Sequence, residues 1–218
     1  TWAGCRNVPR ALLQQLAEQG VVIRSSRVAQ VERSQDGTEK LLLELADGET
    51  VETVLIPERD RVTLCVSSQV GCPVGCVFCA SGLDGVRRNL RAGEIVEQVL
   101  HAQDHLAAAA RPDRERITNL VVMGLGEPLL NLEALTRALA RLGDPAGIGL
   151  GARRVTVSTS GLPDRMRRFA ELAPAYNLAV SLHAADDALR RRLVPTAKAT
   201  VAEIVAAARE FFVRKGRE

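Results

Sequence analysis

Residues 65–79 read C-V-S-S-Q-V-G-C-P-V-G-C-V-F-C. Cys72, Cys76 and Cys79 stand in a C-x3-C-x2-C pattern, and Cys65 lies just upstream in the apolar run 62–66. Gly71, Pro73 and Gly75 interleave with the cysteines, which predicts an irregular loop. A loop can turn its thiolates inward around one centre, whereas a regular strand sends them to alternate faces. Iron–sulfur clusters are held by cysteine thiolates, and a cubane normally takes four of them. Three closely spaced thiolates leave one iron without a protein ligand, and an open coordination position separates a catalytic metal site from a closed structural one. The spacing therefore predicts a cluster whose fourth iron can chelate a small molecule through an amino and a carboxylate group. A structural zinc knot would want a fourth Cys or His at local spacing. A disulfide cluster would suit a secreted chain, which nothing else in the sequence suggests.

Working outward, residues 62–66 predict the strand that enters this loop. Downstream, strand-like runs at 117–123, 155–158 and 178–182 alternate with helical periodicity at 93–110, 132–142, 162–172 and 187–193. Ile95, Val96, Val99, Leu100 and Leu106 supply the apolar side of the first helix, and Asn131 is placed to cap the second. A last amphipathic helix over 201–213 is expected to turn Ile204, Val205, Ala208, Phe211 and Phe212 inward. Such alternation implies an α/β fold with a parallel sheet, here of four strand–helix units. In barrel-like sheets the functional residues gather at the C-terminal ends of the strands. The cysteine loop, G-L-G-E-P (124–128), residues 158–161 and residues 181–183 all fall there. Glycines let a ligand approach the backbone closely, and Glu127 can bind an ammonium group. A G-x-G alone also reads as a tight turn.

Upstream, residues 7–19 predict a helix capped by Asn7, with Pro9 in its first turn and Gly20 as its stop. Leu12, Leu13 and Leu16 form a stripe expected to pack on the following strands. Runs at 21–23, 28–31, 41–45 and 51–56 are strand-like, and Asp36-Gly37 and Asp47-Gly48 are hairpin signals. The expected organisation is a helix with a small antiparallel β unit over 1–60, followed by the main domain over 61–218. Cys5 has no partner motif and reads as incidental.

Composition sets broad limits. The chain has 218 residues, 46% hydrophobic and 25% charged, which is ordinary for a globular protein with a real core. No apolar run reaches membrane-spanning length, and no signal segment opens the sequence. Thiolates of this kind suit a reducing cytoplasm. A net charge of +3 does not by itself announce a nucleic-acid binder. Arginines nevertheless cluster at 87–88, 153–154, 165–168 and 190–192, where they can neutralise phosphates. Any one such cluster alone reads as a solvated helix face. Aromatic content of 3% argues against an extended base-stacking platform.

The motifs resemble the radical SAM enzymes and, among them, the adenine C2 methyltransferases of ribosomal and transfer RNA, the RlmN type. The Cfr type, which methylates adenine at C8, is the near neighbour. The likeness rests on the cysteine stretch with F-C-A-S-G (78–82) and R-N-L (88–90). It is extended by V-E-T-V-L-I-P-E (51–58), V-V-M-G-L-G-E-P-L-L-N (121–131), R-R-V-T-V-S-T-S-G (153–161) and L-A-V-S-L-H-A (178–184). It implies a partial (β/α) radical SAM barrel, with four of six units present, and a [4Fe-4S] cluster on Cys72, Cys76 and Cys79. It implies contacts to S-adenosylmethionine from Gly126, Glu127, Ser158, Ser181, Leu182 and His183. By residue type alone, His183 is a satisfied strand-end histidine.

The same resemblance makes Glu52 the proton acceptor in RNA methylation. It makes Cys65 the second cysteine, which resolves a protein–RNA adduct built on a methyl-carrying cysteine near the family's C-terminus. By residue type alone, Glu52 is a solvent-facing strand carboxylate and Cys65 a buried strand thiol. The implied substrate is an adenine of 23S ribosomal RNA, with transfer RNA as a further target. The implied partners are that RNA and an electron donor, for a monomer in the cytoplasm with no membrane association. The family's accessory domain, its last two strands, a ligand-binding asparagine and the methyl-carrying cysteine have no counterpart in residues 1–218. The expectation is therefore a piece of a longer enzyme. The alternatives are a short cluster-binding homologue that does not methylate, a non-catalytic RNA- or ribosome-binding protein, and an iron–sulfur redox or sensor protein.

Overall fold

The computed structural model describes residues 8–109, 116–173 and 175–216; Cys5 and Asn7 lie outside the described residues. Three antiparallel strands, β1 (Arg27–Arg33), β2 (Glu39–Glu44) and β3 (Thr50–Pro57), lead into β4 (Val62–Cys65). The turns at 36–37 and 47–48 close as expected. Thr38 N donates to Asp36 Oδ1 at 2.9 Å, and Glu49 N donates to Asp47 Oδ1 at 3.2 Å. The short strands β5 (Gln69–Gly71) and β6 (Val86–Asn89) follow, then β7 (Asn119–Val122), β8 (Val155–Thr159) and β9 (Asn177–Val180).

The main sheet has seven strands in the order β1-β2-β3-β4-β7-β8-β9, and β4, β7, β8 and β9 run parallel. The antiparallel strands are continuous with the parallel ones through the β3–β4 pairing, where Val54 faces Cys65. The crossovers are α2 (Ala92–Ala108), α3 (Leu132–Gly143) and α4 (Pro163–Leu172); α5 (Asp187–Leu193) and α6 (Val201–Lys215) follow β9.

The pleat divides the sheet into two unlike faces. Leu64, Leu120, Val122, Val155 and Val157 are buried in one core with Ile95 and Val99 of α2, Leu135 and Leu139 of α3, Met166 and Phe169 of α4, and Ile204 and Phe211 of α6. Phe169 and Phe211 stack with ring centroids 5.7 Å apart. The alternate residues Val54, Cys65, Val121 and Thr156 lie side by side in register and are only half-buried. That second face, which also carries Glu52 and Ser158, is open.

Four local expectations are corrected. Residues 21–23 form no strand, because their apolar side chains stay exposed. The first helix, α1 (Arg10–Glu18), starts after Pro9 and has no fully buried residue: Leu12 is exposed, Leu13 and Leu16 are half-buried, and none of the stripe joins the core of the sheet. On α6 the buried residues are Ile204, Ala207 and Phe211, with Ala208 half-buried against the same core as expected, while Val205 and Phe212 face outward, because the seam against α4 is narrower than the apolar stripe. Asn131 makes no side-chain cap on α3. Its Nδ2 instead donates to Ser68 O and Leu90 O, both at 2.8 Å, which ties the cysteine segment to the end of β6.

Candidate functional site

The cysteine loop is braced from three sides. The β5–β6 hairpin frames it, pairing Gln69 with Asn89 and Val70 with Arg88. At its base Cys72 N donates to Gly85 O at 2.9 Å, and a Cβ on Gly71 would lie 2.1 Å from that same oxygen, so the position admits only glycine. Beneath it the buried amide of Gln98 satisfies both backbone groups of Ser67, at 2.8 and 3.0 Å. From the far side, Val77 N donates to Leu193 O at 3.0 Å and Thr196 Oγ1 donates to Val74 O at 2.6 Å. Buried backbone groups need such partners, and here the partners fix an irregular segment in place.

Cys72, Cys76 and Cys79 are free thiols, and they line one cavity of about 220 Å³. Gly126, Glu127, Ser158, Ser181 and His183 line the same cavity. Residues scattered over more than a hundred positions thus meet at the C-terminal ends of β4, β7, β8 and β9. Burial pushes the Cys72 and Cys76 thiols up. Backbone N–H groups of Val74 and Gly126 partly offset this at Cys72. Among the described residues, no three His, Cys, Asp or Glu side chains converge closely enough to hold a single metal ion. The thiols are instead distributed around a cavity wall. Soft thiolate donors select iron–sulfur clusters, among other thiophilic centres. A donor set spread around a cavity that also presents Glu127, Ser158, Ser181 and His183 fits a cluster with a small molecule on its open side.

The loop after β7 reaches the cavity by lying directly on the segment after β4. Ser68 N and Gln69 N donate to Leu125 O at 2.8 and 3.2 Å, and Glu127 N donates to Gln69 Oε1 at 2.8 Å. A Cβ on Gly124 would sit 2.7 Å from Ser67 Oγ, and one on Gly126 would sit 2.8 Å from Gln69 N. Gly126 also has φ +102°, a region L side chains rarely adopt. The glycines therefore serve chain-to-chain approach as well as any ligand. Gly126→Ala is expected to cost about 2–5 kcal/mol from strain and overpacking, read as a lowered midpoint in urea.

Glu127 is 3% exposed. Its Oε1 accepts from Leu129 N at 3.1 Å and its Oε2 from Ser160 N at 2.7 Å, so it braces two strand-end loops. Ser158 Oγ and Ser181 Oγ lie 3.2 Å apart across neighbouring strands. His183 has φ +66°, the one positive value outside glycine among the described residues. Its ring centroid lies 4.8 Å from that of Phe78. Burial, with the Arg190 charge, pushes its imidazole down. Leu182 packs against the hydrophobic core and does not line the cavity.

Cys65 sits on the open face at the rim of this site. Burial raises its thiol, and the Met123 backbone N–H, from a residue that lines the cavity, donates to it. Glu52 is outside the cavity, half-exposed on the same open face, and paired with Lys40 at 2.9 Å. Sequence reading missed Phe78, Gln98, the bracing role of Asn131, and Arg190. Phe78 had a signal in its place between two cysteines of the pattern, Arg190 stood in a cluster that reads as a solvated face, and Gln98 had no signal.

Comparison with known proteins agrees with this arrangement. The Radical SAM superfamily profile matches residues 66–216. A probable dual-specificity RNA methyltransferase RlmN of Rhodopirellula baltica is 47% identical over 212 residues, covering 97% of this chain and 56% of that protein. The dual-specificity RNA methyltransferase RlmN of Syntrophobacter fumaroxidans is 46% identical over 212 residues, covering 97% and 60%. The crystal structure of a radical SAM methyltransferase from Sphaerobacter thermophilus superposes with a TM-score of 0.91 at 42% identity, covering 100% of this chain and 63% of that one. The chain thus spans a little over half the length of the curated relatives it matches. A superfamily match that runs from the cysteine loop through α6, over residues that converge on one thiol-lined cavity, shows that the chain belongs to the radical SAM superfamily.

Proposed function

We propose that this chain is the cluster- and cofactor-binding part of a radical SAM RNA methyltransferase of the RlmN type. Its target is C2 of an adenine in 23S ribosomal RNA, with transfer RNA as a second substrate. The observation that carries the reading is the meeting of three free thiols with Glu127, Ser158 and Ser181 in one cavity. Ser158 both lines the cavity and stands on the open sheet face, the side from which a substrate larger than the cofactor reaches it.

The adenine C2–H carbon is not nucleophilic, and the one-electron chemistry that a reduced [4Fe-4S] cluster supplies with S-adenosylmethionine is a route around that barrier. Cys72, Cys76 and Cys79 act as the thiolate ligands. Glu127 accepts the methionine ammonium with the lone pairs its two backbone donors leave free. Gly126 lets the cofactor approach the chain closely, Ser158, Ser181 and His183 orient it, and Leu182, packed on the core, holds the segment that carries Ser181 and His183. Cys65, kept protonated by burial, is the resolving thiol at the cavity rim. Glu52 is the proton acceptor, and it must first give up Lys40, which it shares with Glu32. Residues 1–60 serve as an accessory unit alongside the 61–218 core. An external donor reduces the cluster, and the chain works as a monomer in the cytoplasm. Among the described residues, no helix is long and apolar enough to cross a membrane.

The test is anaerobic reconstitution with iron and sulfide, followed by electron paramagnetic resonance of the reduced protein with and without S-adenosylmethionine. A cubane signal that shifts on adding S-adenosylmethionine, together with release of 5′-deoxyadenosine, is the expected result. A cluster that titrates reversibly and ignores S-adenosylmethionine would overturn the reading in favour of a redox or sensor protein.

A further inference from the structure

Arg190 is 2% exposed, and its surroundings do not account for its charge. Its Nη2 donates to Ser160 O at 2.5 Å, but Nε and Nη1 are enclosed and have no hydrogen-bond partner. A buried guanidinium is costly unless an anion compensates it. Among the described residues, Arg190 forms no ion pair. Of the carboxylates, Asp187 bears on it. Asp187 is already engaged, its Oδ1 accepting from Val201 N at 2.7 Å.

The geometry brings this charge to the cysteine loop. Arg190 lies one turn before Leu193 on α5, and Leu193 O accepts from Val77 N, the residue after Cys76. Thr196, just beyond α5, is bonded to Val74 of the same loop. Arg190 also lines a second cavity, of about 690 Å³, that shares Val74 and Ser160 with the thiol-lined one. Ser160, whose carbonyl accepts from Arg190, lines both cavities, so the guanidinium is anchored to the wall of the thiol-lined one.

We propose that Arg190 is the fixed countercharge of the cluster held by Cys72, Cys76 and Cys79, a positioning residue that sets the cluster's reduction potential. The proposal rests on the cluster reading of those thiols. Reduction places one electron on a centre already made negative by its thiolates. A cation fixed nearby in a low-dielectric interior stabilises that added electron. Burial, net charge and hydrogen bonding are the levers that set such potentials. Arg190 contributes the charge, while its Ser160 bond and the α5–loop bonds hold it in place.

The experiment is a redox titration, with dithionite as electron source and paramagnetic resonance as readout, on the reconstituted chain and on Arg190→Met and Arg190→Lys. At the wild-type midpoint, Arg190→Met is expected to show at least a tenfold lower reduced-to-oxidised ratio, about 59 mV for a one-electron couple. Arg190→Lys is expected to stay within threefold of wild type. Arg190→Gln, uncharged but polar, takes the place of Met should that variant not fold, with the same expectation. An uncharged variant that titrates with wild type overturns the proposal. Equal shifts in the charged and uncharged variants also overturn it, since packing alone would then be responsible. A wild-type chain that takes up no iron overturns the cluster reading and the proposal together, an outcome distinct from a normal cluster indifferent to Arg190.

Discussion

Cys76→Ala is expected to leave the reconstituted chain colourless, with at least ~10-fold less iron than wild type, while the two proteins melt alike before reconstitution. Outer-shell partners of metal ligands already cost 10–100-fold in metal affinity when lost, so removal of a ligand has to cost more. The local structure survives because the loop is held by backbone bonds, not by the thiol. Cys79 N donates to Cys76 O, Val77 N to Leu193 O, and Cys72 N to Gly85 O, and none of these involves the side chain. The Cys76 side chain is only partly buried, so replacing it with methyl costs little stability. Cys65→Ala is the matched control. Its side chain lies on the open sheet face, outside the lining of the thiol cavity, and its loss is expected to leave iron content unchanged. Iron and sulfide per chain, together with visible absorbance, read both variants. A Cys76→Ala protein that kept its full colour and iron would show that the C-x3-C-x2-C ligands are wrongly assigned.

Much of this arrangement was legible because its signals are local. Strand and helix alternate with distinct periods, which located β4, β7, β8 and β9 and the helices α2 to α6 to within a few residues. The cysteine spacing, the glycines before Glu127, and the serines closing β8 and following β9 each sit beside a strand end, so a coarse strand reading was enough to bring them together. What was not legible depends on partners distant in the chain. The β5–β6 hairpin is short, bulged and interrupted by the cysteine loop, so it shows no alternation. Gln98 and Asn131 are helix-associated amides whose sequence context suggests solvent or a cap; only the fold reveals that Ser67, Ser68 and Leu90 need their hydrogen bonds. Arg190 belongs to an R-R-R run that reads as a solvated helix face, yet it alone of the three is buried. The stripe on α1 is amphipathic but only half-covered and outside the core, and periodicity reports amphipathicity, not burial.

Glu127→Gln is expected to have two separable effects, because the carboxylate holds two loops together and faces the cavity. In the wild type, both oxygens accept from backbone N–H groups, of Leu129 and of Ser160. An amide keeps the volume but offers only one oxygen, and its NH2 then points at one of those N–H groups. A buried donor left unsatisfied costs about 1–3 kcal/mol. For a chain of this size that corresponds to a melting temperature lower by roughly 2–12 °C, at 2–4 °C per kcal/mol. Glu127→Ala orphans both donors and is expected to lose about twice as much. The second effect is on the ligand. A charge-assisted hydrogen bond to an ammonium contributes about 1.5–3 kcal/mol, so S-adenosylmethionine should bind Glu127→Gln about 10- to 100-fold more weakly. Equilibrium dialysis at a temperature well below the variant's melt separates the two. A variant that melts lower but binds S-adenosylmethionine as tightly as wild type would make Glu127 a brace between Leu129 and Ser160 alone. The ammonium would then have to be held elsewhere on the cavity wall, where the Ser158 and Ser181 hydroxyls are among the remaining acceptors. Weakened binding in a variant that melts normally would instead show that the two loops keep their places without the second oxygen and that the carboxylate is there for the ligand.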